Sequence, residues 1–264
     1  MIVEGRLVAA NLKEKIKQKL SSEKKVCFII FGNDPGSRQF IYMKCRFAEG
    51  LGIKTVVEEH PENVEFEEAK KIVQTVVAQN YSGIVVQLPL PKNLNPKDIL
   101  DLVPPDLDID VLSEITKELY RNGSIEKVPP VARAVESILD FYHVDLLSKS
   151  ILIVGRGMLV GEPVSNMFKL KNVPFQQVDK NTDQESRKKM LKDADIIISG
   201  AGDSYFIKPD MIKDGVVLID AGTSESEGKI VGDVDPACYE KASLVTPVPG
   251  GIGPVTLASL FLNL

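Results

Sequence analysis

Short, almost uninterrupted apolar runs recur along the chain and alternate with segments of helical periodicity. In the first half, residues 25–32 (KVCFIIFG), 54–59 (KTVVEE) and 83–91 (GIVVQLPLP) have the composition of strands. Between them, residues 37–52 and 65–80 carry apolar side chains at helical spacing. Strands that are apolar on both faces are typical of parallel sheets covered by helices. The alternation therefore predicts an α/β fold.

The second half repeats this rhythm, with the strand-like runs SILIVG, PFQQVD, ADIIISGAG, GVVLIDAG and SLVTPV. Residues 93–130, rich in Pro and Asp, are predicted to form a connection that leads into a linking helix at 132–142. We therefore predict two domains: an N-terminal α/β domain of residues 1–125 with 246–264, and a Rossmann-like domain of residues 126–245. The apolar helix that closes the chain is expected to pack back on the first domain.

Composition and charge exclude several classes of protein. The chain has 264 residues, of which 44% are hydrophobic, and a formal net charge of −5, so it can bury substantial cores. No apolar run is long enough to cross a bilayer and the first residues lack a signal pattern, so we expect no membrane association and a cytoplasmic location. The mild acidity and the lack of a basic stripe predict that nucleic acid is not a partner.

No metal site is predicted. Cys27, Cys45 and Cys238 are scattered and lack the paired spacing of zinc ligands or of a disulfide framework. The DLDID segment at 106–110 has the acidic spacing of a calcium loop. However, Val111 and Lys117 stand at its sixth and twelfth positions, where such a loop needs Gly and Glu.

A glycine-rich turn follows the strand run SILIVG and continues as GRGMLVGEP. Gly155 would permit a tight turn, Gly157 would let the backbone approach a pyrophosphate, and Gly161 would bring helix and strand close together. The pattern predicts a dinucleotide site. A strand–turn–helix without a ligand is the structural alternative.

The residues that would meet the ribose of the dinucleotide favour different cofactors. Asp179 ends the next strand run, where an acidic side chain binds a ribose 2′-hydroxyl. Arg156 and Lys180 are instead suited to a 2′-phosphate. On balance these residues favour NADP, with NAD as the alternative.

Three residues in the first half are candidates for a chemical role. Phe40 and Lys44 stand four apart in a helical segment and so share one helix face. Gln87 follows a buried strand, at the end where ligands bind in α/β sheets. A solvent-facing lysine and a polar strand end are the alternatives without function.

Together, these segments resemble the methylenetetrahydrofolate dehydrogenase/methenyltetrahydrofolate cyclohydrolase family over essentially the whole chain. The motifs that carry the resemblance follow the family's order: GSRQFIYMK, VVQLPLP, DID, GRGMLVGEP, ADIIISGAG, VVLIDAG, GDVD and TPVPGGIGPVT. VQLPLP and the closing TPVPGG-x-GP-x-T are specific to the family, whereas the glycine turn is not.

The resemblance implies a homodimeric enzyme of one-carbon metabolism and purine biosynthesis. Such an enzyme oxidises 5,10-methylenetetrahydrofolate with a nicotinamide cofactor and hydrolyses the methenyl product to 10-formyltetrahydrofolate. The first domain would then be the catalytic, folate-binding domain and the second would bind NAD(P).

Functional residues carry over by motif. Lys44 corresponds to the family's catalytic lysine, Gln87 to the glutamine that positions it, and Asp110 to the aspartate that binds the pterin. The other residues implied in binding are Phe40, Pro249, Gly250 and Gly251 for the folate, and Gly155, Arg156, Gly157, Gly161, Asp179, Lys180, Gly200, Gly222 and Thr223 for the cofactor.

The chain departs from the family pattern at several positions. The departures are Phe40 for tyrosine, Leu107 for lysine, Val111 for glycine, Gly157 for serine, PPVA at 129–132 for PCTP, and VDK at 178–180 for CHS. They leave two alternatives open beside the bifunctional enzyme. One is a dehydrogenase that has lost the cyclohydrolase step, and the other is a non-catalytic protein that binds nucleotide or folate.

Overall fold

The computed structural model describes residues 1–20, 23–226 and 229–264. Contacts between Cα atoms divide the chain into two compact units. Unit A comprises residues 12–130 and 260–264, and unit B comprises residues 1–11 and 131–259. This grouping differs from the predicted domains at residues 1–11, 126–130 and 246–259, and the predicted functional boundaries stay a prediction.

Within the described residues, the strands form three sheets. In chain order they are β1 (Lys25–Phe31), β2 (Lys54–His60), β3 (Gly83–Val86), β4 (Ile151–Val154), β5 (Gln176–Val178), β6 (Ile196–Ser199), β7 (Val217–Asp220), β8 (Ser224–Ser226), β9 (Lys229–Val231) and β10 (Leu244–Val245). Unit A holds the sheet of order β2-β1-β3, and unit B holds the sheet of order β10-β7-β6-β4-β5. All pairings in these two sheets are parallel, whereas β8 and β9 form an antiparallel pair.

The α-helices are α1 (Gly5–Lys19), α2 (Pro35–Glu49), α3 (Phe66–Val77), α4 (Pro96–Leu100), α5 (Glu114–Arg121), α6 (Pro130–Phe141), α7 (Gly161–Leu170), α8 (Gln184–Asp193) and α9 (Ile252–Leu260). Short 3₁₀ turns occupy Pro209–Met211, Pro236–Glu240 and Phe261–Asn263. No helix within the described residues is both long enough and apolar enough to cross a membrane.

Each unit has its own apolar core. In unit A, Ile29 of β1 and Ile84 of β3 pack with Val73 of α3. In unit B, Leu152 of β4 and Ile197 of β6 belong to one buried cluster with side chains of neighbouring helices and loops. Strands β1, β3, β4 and β6 are almost entirely buried, as the uninterrupted apolar runs predicted. The edge strand β2 has no buried residue.

The connection at 93–130 is more structured than predicted, because it contains α4 and α5. The side chain of Asn95 accepts a hydrogen bond from Lys97 N at the start of α4, and Ser113 caps α5 through Thr116 N. Capping satisfies backbone donors that would otherwise be unpaired, so helices form locally despite the Pro- and Asp-rich composition. Sequence analysis also does not predict α1.

Candidate functional site

The helix that carries Lys44 begins at a defined cap. Asp34 Oδ2 accepts a hydrogen bond from Ser37 N at 2.6 Å, and Pro35 occupies the first helical position of α2. Both features favour a helix start at this point. Ser37 Oγ also donates to the carbonyl oxygen of Leu88 at 3.5 Å, which links α2 to the segment after β3.

Lys44, Gln87 and Asp110 meet at one place in unit A. Lys44 Nζ donates a hydrogen bond to Gln87 Oε1 at 3.0 Å and lies 3.9 Å from Asp110 Oδ2. The side chains of Lys44 and Asp110 are 16% and 23% exposed, and Gln87 is 8% exposed. An ammonium, a carboxamide and a carboxylate therefore share a partly desolvated site, as sequence analysis predicts for the first two.

The orientation of Gln87 follows from its position at the strand end. Its backbone N–H donates to Ile29 O at 2.9 Å, which continues the pairing of β1 with β3 by one residue. Its side-chain Nε2 donates to Leu88 O at 2.5 Å. Because the amide nitrogen is thus occupied, the amide oxygen faces the ammonium of Lys44.

Asp110 lies in a loop held by buried polar contacts. The carboxylate of Asp108 accepts hydrogen bonds from Leu112 N at 3.0 Å and from Ser113 N at 2.9 Å. Upstream in the loop, Lys127 Nζ donates to the carbonyl oxygens of Pro105 and Asp106. Asp108 and Lys127 therefore shape the turn that presents Asp110, although the sequence suggests no role for either.

Burial raises the pKa of the Asp110 carboxyl above its usual value; the positive charge of Lys44 opposes this increase and the charge of Asp108 adds to it. The desolvated carboxyl can form strong hydrogen bonds to a ligand that offers N–H donors. The ammonium of Lys44 thus has a neutral orienting group, the Gln87 amide, and a hydrogen-bond acceptor, the Asp110 carboxylate, within 3.9 Å.

Val111 adopts a left-handed backbone conformation, with φ of 57°, and its side chain is buried. This conformation is costly for a β-branched residue and favours glycine. Val111→Gly and Val111→Ala both remove the buried isopropyl group, but only glycine is unstrained here. We expect Val111→Gly to be more stable than Val111→Ala by about 1 kcal/mol, measured by urea unfolding. Equal stability of the two variants would contradict this strain.

The glycine turn in unit B has the predicted geometry. Gly155 has φ of 104°, and its N–H donates to Val178 O. A Cβ added to Gly161 would lie 2.2 Å from Gly155 O, and one added to Gly200 would lie 2.3 Å from a side-chain carbon of Val160. At Gly161 a backbone segment approaches so closely that only glycine fits, and at Gly200 the space is filled by the side chain of Val160. No side chain caps α7 at Val160, and the positive end of its dipole favours an anion there.

Arg156 and Asp179, which favour different cofactors in the sequence, form an ion pair. Arg156 Nε lies 3.1 Å from Asp179 Oδ2, and the guanidinium also donates to the side-chain and backbone oxygens of Gln177. Asp179 Oδ1 accepts a hydrogen bond from Asn181 N at 2.9 Å. Lys180 is exposed. The carboxylate of Asp179 is thus partly neutralised by the cation beside it.

Two buried carboxylates organise the loops that carry Gly200 and Gly222. Asp233 accepts hydrogen bonds from Ser199 Oγ at 2.6 Å, Ala201 N at 2.7 Å and Asp203 N at 2.9 Å. A second set of N–H groups, those of Gly222, Asp233 and Val234, donates to Asp220. Sequence analysis misses this role, although both aspartates fall in family motifs, IDAG and GDVD.

Asp220 predicts a pH effect on stability. Burial raises the pKa of its carboxyl to about 6; the N–H of Val234 opposes this increase and the charge of Asp233 adds to it. With the folded-state pKa above the unfolded one, its stabilising contribution is complete below about pH 4 and is lost as pH rises through the folded value. From about pH 7.5 to about pH 5, the wild type should gain about 1 kcal/mol of unfolding free energy relative to Asp220→Asn. Parallel pH profiles of the unfolding free energy for wild type and Asp220→Asn would contradict a raised pKa of Asp220 in the folded protein.

Comparisons with known proteins agree with this geometry. Residues 3–110 match the tetrahydrofolate dehydrogenase/cyclohydrolase catalytic domain, and residues 129–264 match the NAD(P)-binding domain of the same name. The bifunctional protein FolD of Lactobacillus delbrueckii subsp. bulgaricus is 35% identical over 98% of this chain and 94% of its own length. The chain belongs to the tetrahydrofolate dehydrogenase/cyclohydrolase family. The predicted family, enzyme class and two-domain α/β fold are therefore confirmed.

Solved structures of this folate enzyme family are similar along the whole chain. The bifunctional enzyme FolD from Campylobacter jejuni matches with a TM-score of 0.92 and 31% identity, covering 100% of this chain and 96% of its own. FolD from Trypanosoma brucei, in complex with NADP cofactor and an inhibitor, matches with a TM-score of 0.92 and 27% identity, covering 100% and 95%.

The remaining residues implied by the family resemblance divide between the two units. In unit A, Phe40 lies one turn before Lys44 on α2, and 45% of the residue is exposed. In unit B, Pro249, Gly250 and Gly251 form the loop after β10, where Gly250 has φ of 107°. All nine residues predicted to bind the cofactor belong to unit B, and Thr223 among them is exposed. The ligand contacts of these residues stay predictions.

The part of the chain that the structure describes contains no group of three or more His, Cys, Asp or Glu side chains that could hold a metal ion. Cys27 and Cys238 are buried thiols, and Cys45 is partly buried. All three cysteines are free.

Proposed function

We propose that this protein oxidises 5,10-methylenetetrahydrofolate to the methenyl form with NADP and hydrolyses that product to 10-formyltetrahydrofolate. The observation that carries the proposal is the contact of Lys44 with Gln87 and Asp110. It brings together, from three separate segments, the residue types that this chemistry needs. Membership of the folate family and the names of its bifunctional members support the same pair of reactions.

Unit A would bind the pterin through Asp110. A desolvated carboxylate accepts two parallel hydrogen bonds well, and the amino-pyrimidine edge of a pterin offers two N–H donors. Phe40, exposed on the same helix as Lys44, would stack on the benzoyl ring of the folate. Pro249, Gly250 and Gly251 would form a rigid loop where backbone, rather than side chains, approaches the ligand.

The dehydrogenase step needs orientation more than acid–base catalysis. NADP, when bound, supplies the acceptor for the hydride that leaves the one-carbon unit. The residues present fit this cofactor, because the Gly155–Gly161 turn leaves room for a pyrophosphate beside the start of α7. Asp220 and Asp233 would hold the loops of Gly222 and Gly200 in place around it.

The cyclohydrolase step needs proton transfer. Water adds to the methenyl carbon with loss of one proton, and the carbon–N5 bond then breaks as N5 gains a proton and the hydroxyl loses one. Lys44 would relay protons at these stages, since a positioned side chain in hydrogen-bond reach accelerates such transfers. Gln87 would fix the ammonium through Oε1 without adding a charge.

The cofactor choice predicts the effect of one substitution. Asp179→Ser would free Arg156 for the ribose 2′-phosphate and remove a nearby negative charge. An exposed ion pair contributes up to about 1 kcal/mol, so we expect the KM for NADP to fall about two- to fivefold. Steady-state kinetics with NADP and NAD at fixed folate would measure this change. An unchanged KM for NADP would mean that the Asp179 carboxylate does not face the ribose.

A paired assay tests the proposed function. Purified protein receives methylenetetrahydrofolate with NADP or with NAD, and methenyl formation and its decay are followed by absorbance. We expect methenyl formation with NADP and decay faster than the buffer rate. No turnover with either nucleotide at high enzyme concentration would refute the proposal, and calorimetric binding without turnover would favour a non-catalytic binding protein.

The presence of Phe40 in place of the family's tyrosine favours a second candidate function, that of a dehydrogenase without cyclohydrolase activity. The ring at this position retains stacking but lacks the hydroxyl that the family's tyrosine supplies. In that case methenyl product would accumulate and decay only at the buffer rate, and Phe40→Tyr would restore hydrolysis.

The proposal extends to a cytoplasmic homodimer that serves one-carbon metabolism and purine biosynthesis and binds no nucleic acid. The family resemblance supports this extension, and the net charge of −5 supports the absence of nucleic-acid binding. Sedimentation analysis would give the mass of the assembly, and a value of a single chain at micromolar concentration would refute the dimer.

A further inference from the structure

The side-chain amide of Asn263 is buried, and its hydrogen bonds within the described residues go to backbone groups of unit A. Its Nδ2 donates to Ile109 O at 2.8 Å and to Val128 O at 2.9 Å, and its Oδ1 accepts from Val128 N at 3.1 Å. The residue is 6% exposed. The loop that precedes Asp110 and the segment that precedes α6 are therefore joined through one amide.

The side chain of Ile109, the residue directly before Asp110, also makes packing contacts. A Cβ added to Gly83 would lie 2.7 Å from Cγ2 of Ile109 and 3.0 Å from Cδ2 of Leu264. Ile109 is fully buried. Leu264 thus packs beside Gly83, the first residue of β3, next to the side chain of Ile109. Contacts therefore constrain both the backbone and the side chain of Ile109.

The same terminal segment contacts the helix of Lys44. The rings of Phe261 and Phe47 stack with centroids 5.6 Å apart and an interplanar angle of 20°. Phe47 lies one turn after Lys44 on α2. Residues 261–263 therefore touch both elements whose charged groups, Lys44 Nζ and Asp110 Oδ2, are 3.9 Å apart.

We propose that Asn263 is a positioning residue for the folate site, setting the place of Asp110 relative to Lys44 through its hydrogen bonds to Ile109 and Val128. Its catalytic consequence rests on the proposed function. Displacement of a reacting or binding group by about 1 Å can reduce a rate about 100-fold, and Asp110 itself lies outside helices and strands.

The experiment compares Asn263→Ala and Asn263→Asp with Asn93→Ala. Asn263→Asp keeps the shape but places an oxygen opposite the carbonyls of Ile109 and Val128. Asn93 is the matched control, because its Nδ2 also donates to a backbone carbonyl of unit A, that of Val64, at 2.8 Å. We expect both Asn263 variants to lose at least tenfold in kcat/KM for the folate, with the KM for NADP within twofold of wild type. Asn93→Ala should stay within twofold in both.

A second readout does not depend on activity. In protein labelled with ¹³C at aspartate carboxyls, the Asp110 signal is assigned with Asp110→Asn and titrated without ligand. Burial raises the pKa of Asp110 in the wild type, so loosening of its loop in Asn263→Ala should lower that pKa towards the ordinary value. Asn93→Ala should leave it unchanged.

The two readouts separate the two hypotheses. If the wild type fails to turn over folate, the proposed function is refuted, while the Asp110 titration still decides whether Asn263 positions the loop. If Asn263→Ala does not fold, Asn263→Ser is titrated in its place. An Asp110 titration identical in wild type and variant would overturn the positioning role.

Discussion

Lys44→Met is expected to abolish methenyl hydrolysis and to leave NADP binding unchanged. Methionine retains most of the length and apolar packing of lysine but cannot transfer a proton or hold Gln87 Oε1. General acid–base groups contribute about 10²–10⁴-fold to rates, so hydrolysis should fall by about that factor. The measurement is the decay of added methenyltetrahydrofolate, with NADP affinity determined by calorimetry on the same preparation.

Arg46→Met is the matched control for this prediction. Arg46 lies on the same helix, two residues after Lys44, and its side chain is largely exposed and pairs with Glu49. The control should hydrolyse the methenyl substrate at the wild-type rate. Hydrolysis by Lys44→Met at the rate of the control would remove Lys44 from the mechanism.

Removal of the ammonium has a further consequence for Asp110. The charge of Lys44 lowers the pKa of this carboxyl and partly opposes the effect of burial. In Lys44→Met the pKa of Asp110 should therefore rise further. A protonated carboxyl accepts hydrogen bonds less well than a carboxylate, so as pH falls folate binding by Lys44→Met should weaken at a higher pH than folate binding by the wild type.

The residues with local sequence signals are those that sequence analysis identifies. Helical spacing makes Phe40 and Lys44 candidates, the end of an apolar run makes Gln87 one, and the glycine turn follows from its place after a strand. Each depends on periodicity or strand ends, which the chain displays within a few residues. The roles of Phe40, Lys44 and Gln87 are implied by the family resemblance. In the structure, Lys44 Nζ contacts Gln87 Oε1 and Gly155 adopts a positive φ, while the functional roles of these residues stay predictions.

Residues that act through distant contacts leave no such signal. Asn263 bonds to Ile109, which is 154 positions away in the sequence, and Lys127 reaches the carbonyls of residues 105 and 106. Asp233 collects donors from the loop after β6, about 30 residues earlier in the chain. A single polar residue predicts neither its partner nor its burial, because both depend on packing of the whole unit.

The sequence also does not predict which charged residues pair with each other. Arg156 and Asp179 favour opposite cofactors when each is taken alone, yet in the folded protein they form an ion pair. Their joint effect on a bound ribose depends on this geometry rather than on the sum of two separate preferences. The sequence can therefore identify candidate residues for cofactor specificity without predicting how they pair in the folded protein.

Gly161→Ala is expected to prevent formation of the nucleotide turn, whereas Gly157→Ala should be tolerated. A Cβ at Gly161 would lie 2.2 Å from Gly155 O and 2.6 Å from its carbonyl carbon, which are backbone atoms that cannot move aside. Relief of the overlap requires α7 to shift away from β4. Overpacking of this kind costs about 1–3 kcal/mol or more, and the shift would also separate the groups proposed to bind the pyrophosphate.

Gly157 provides the comparison within the same turn, because a Cβ there meets nothing within 4 Å. We expect Gly161→Ala to lose at least 100-fold in NADP affinity by calorimetry and to unfold at lower urea concentration, while retaining folate binding if unit A is undisturbed. Gly157→Ala should keep wild-type stability, and any loss of affinity would report a clash with the cofactor itself. Equal NADP affinity of Gly161→Ala and wild type would mean that the close approach of α7 to the Gly155 turn is not required for cofactor binding.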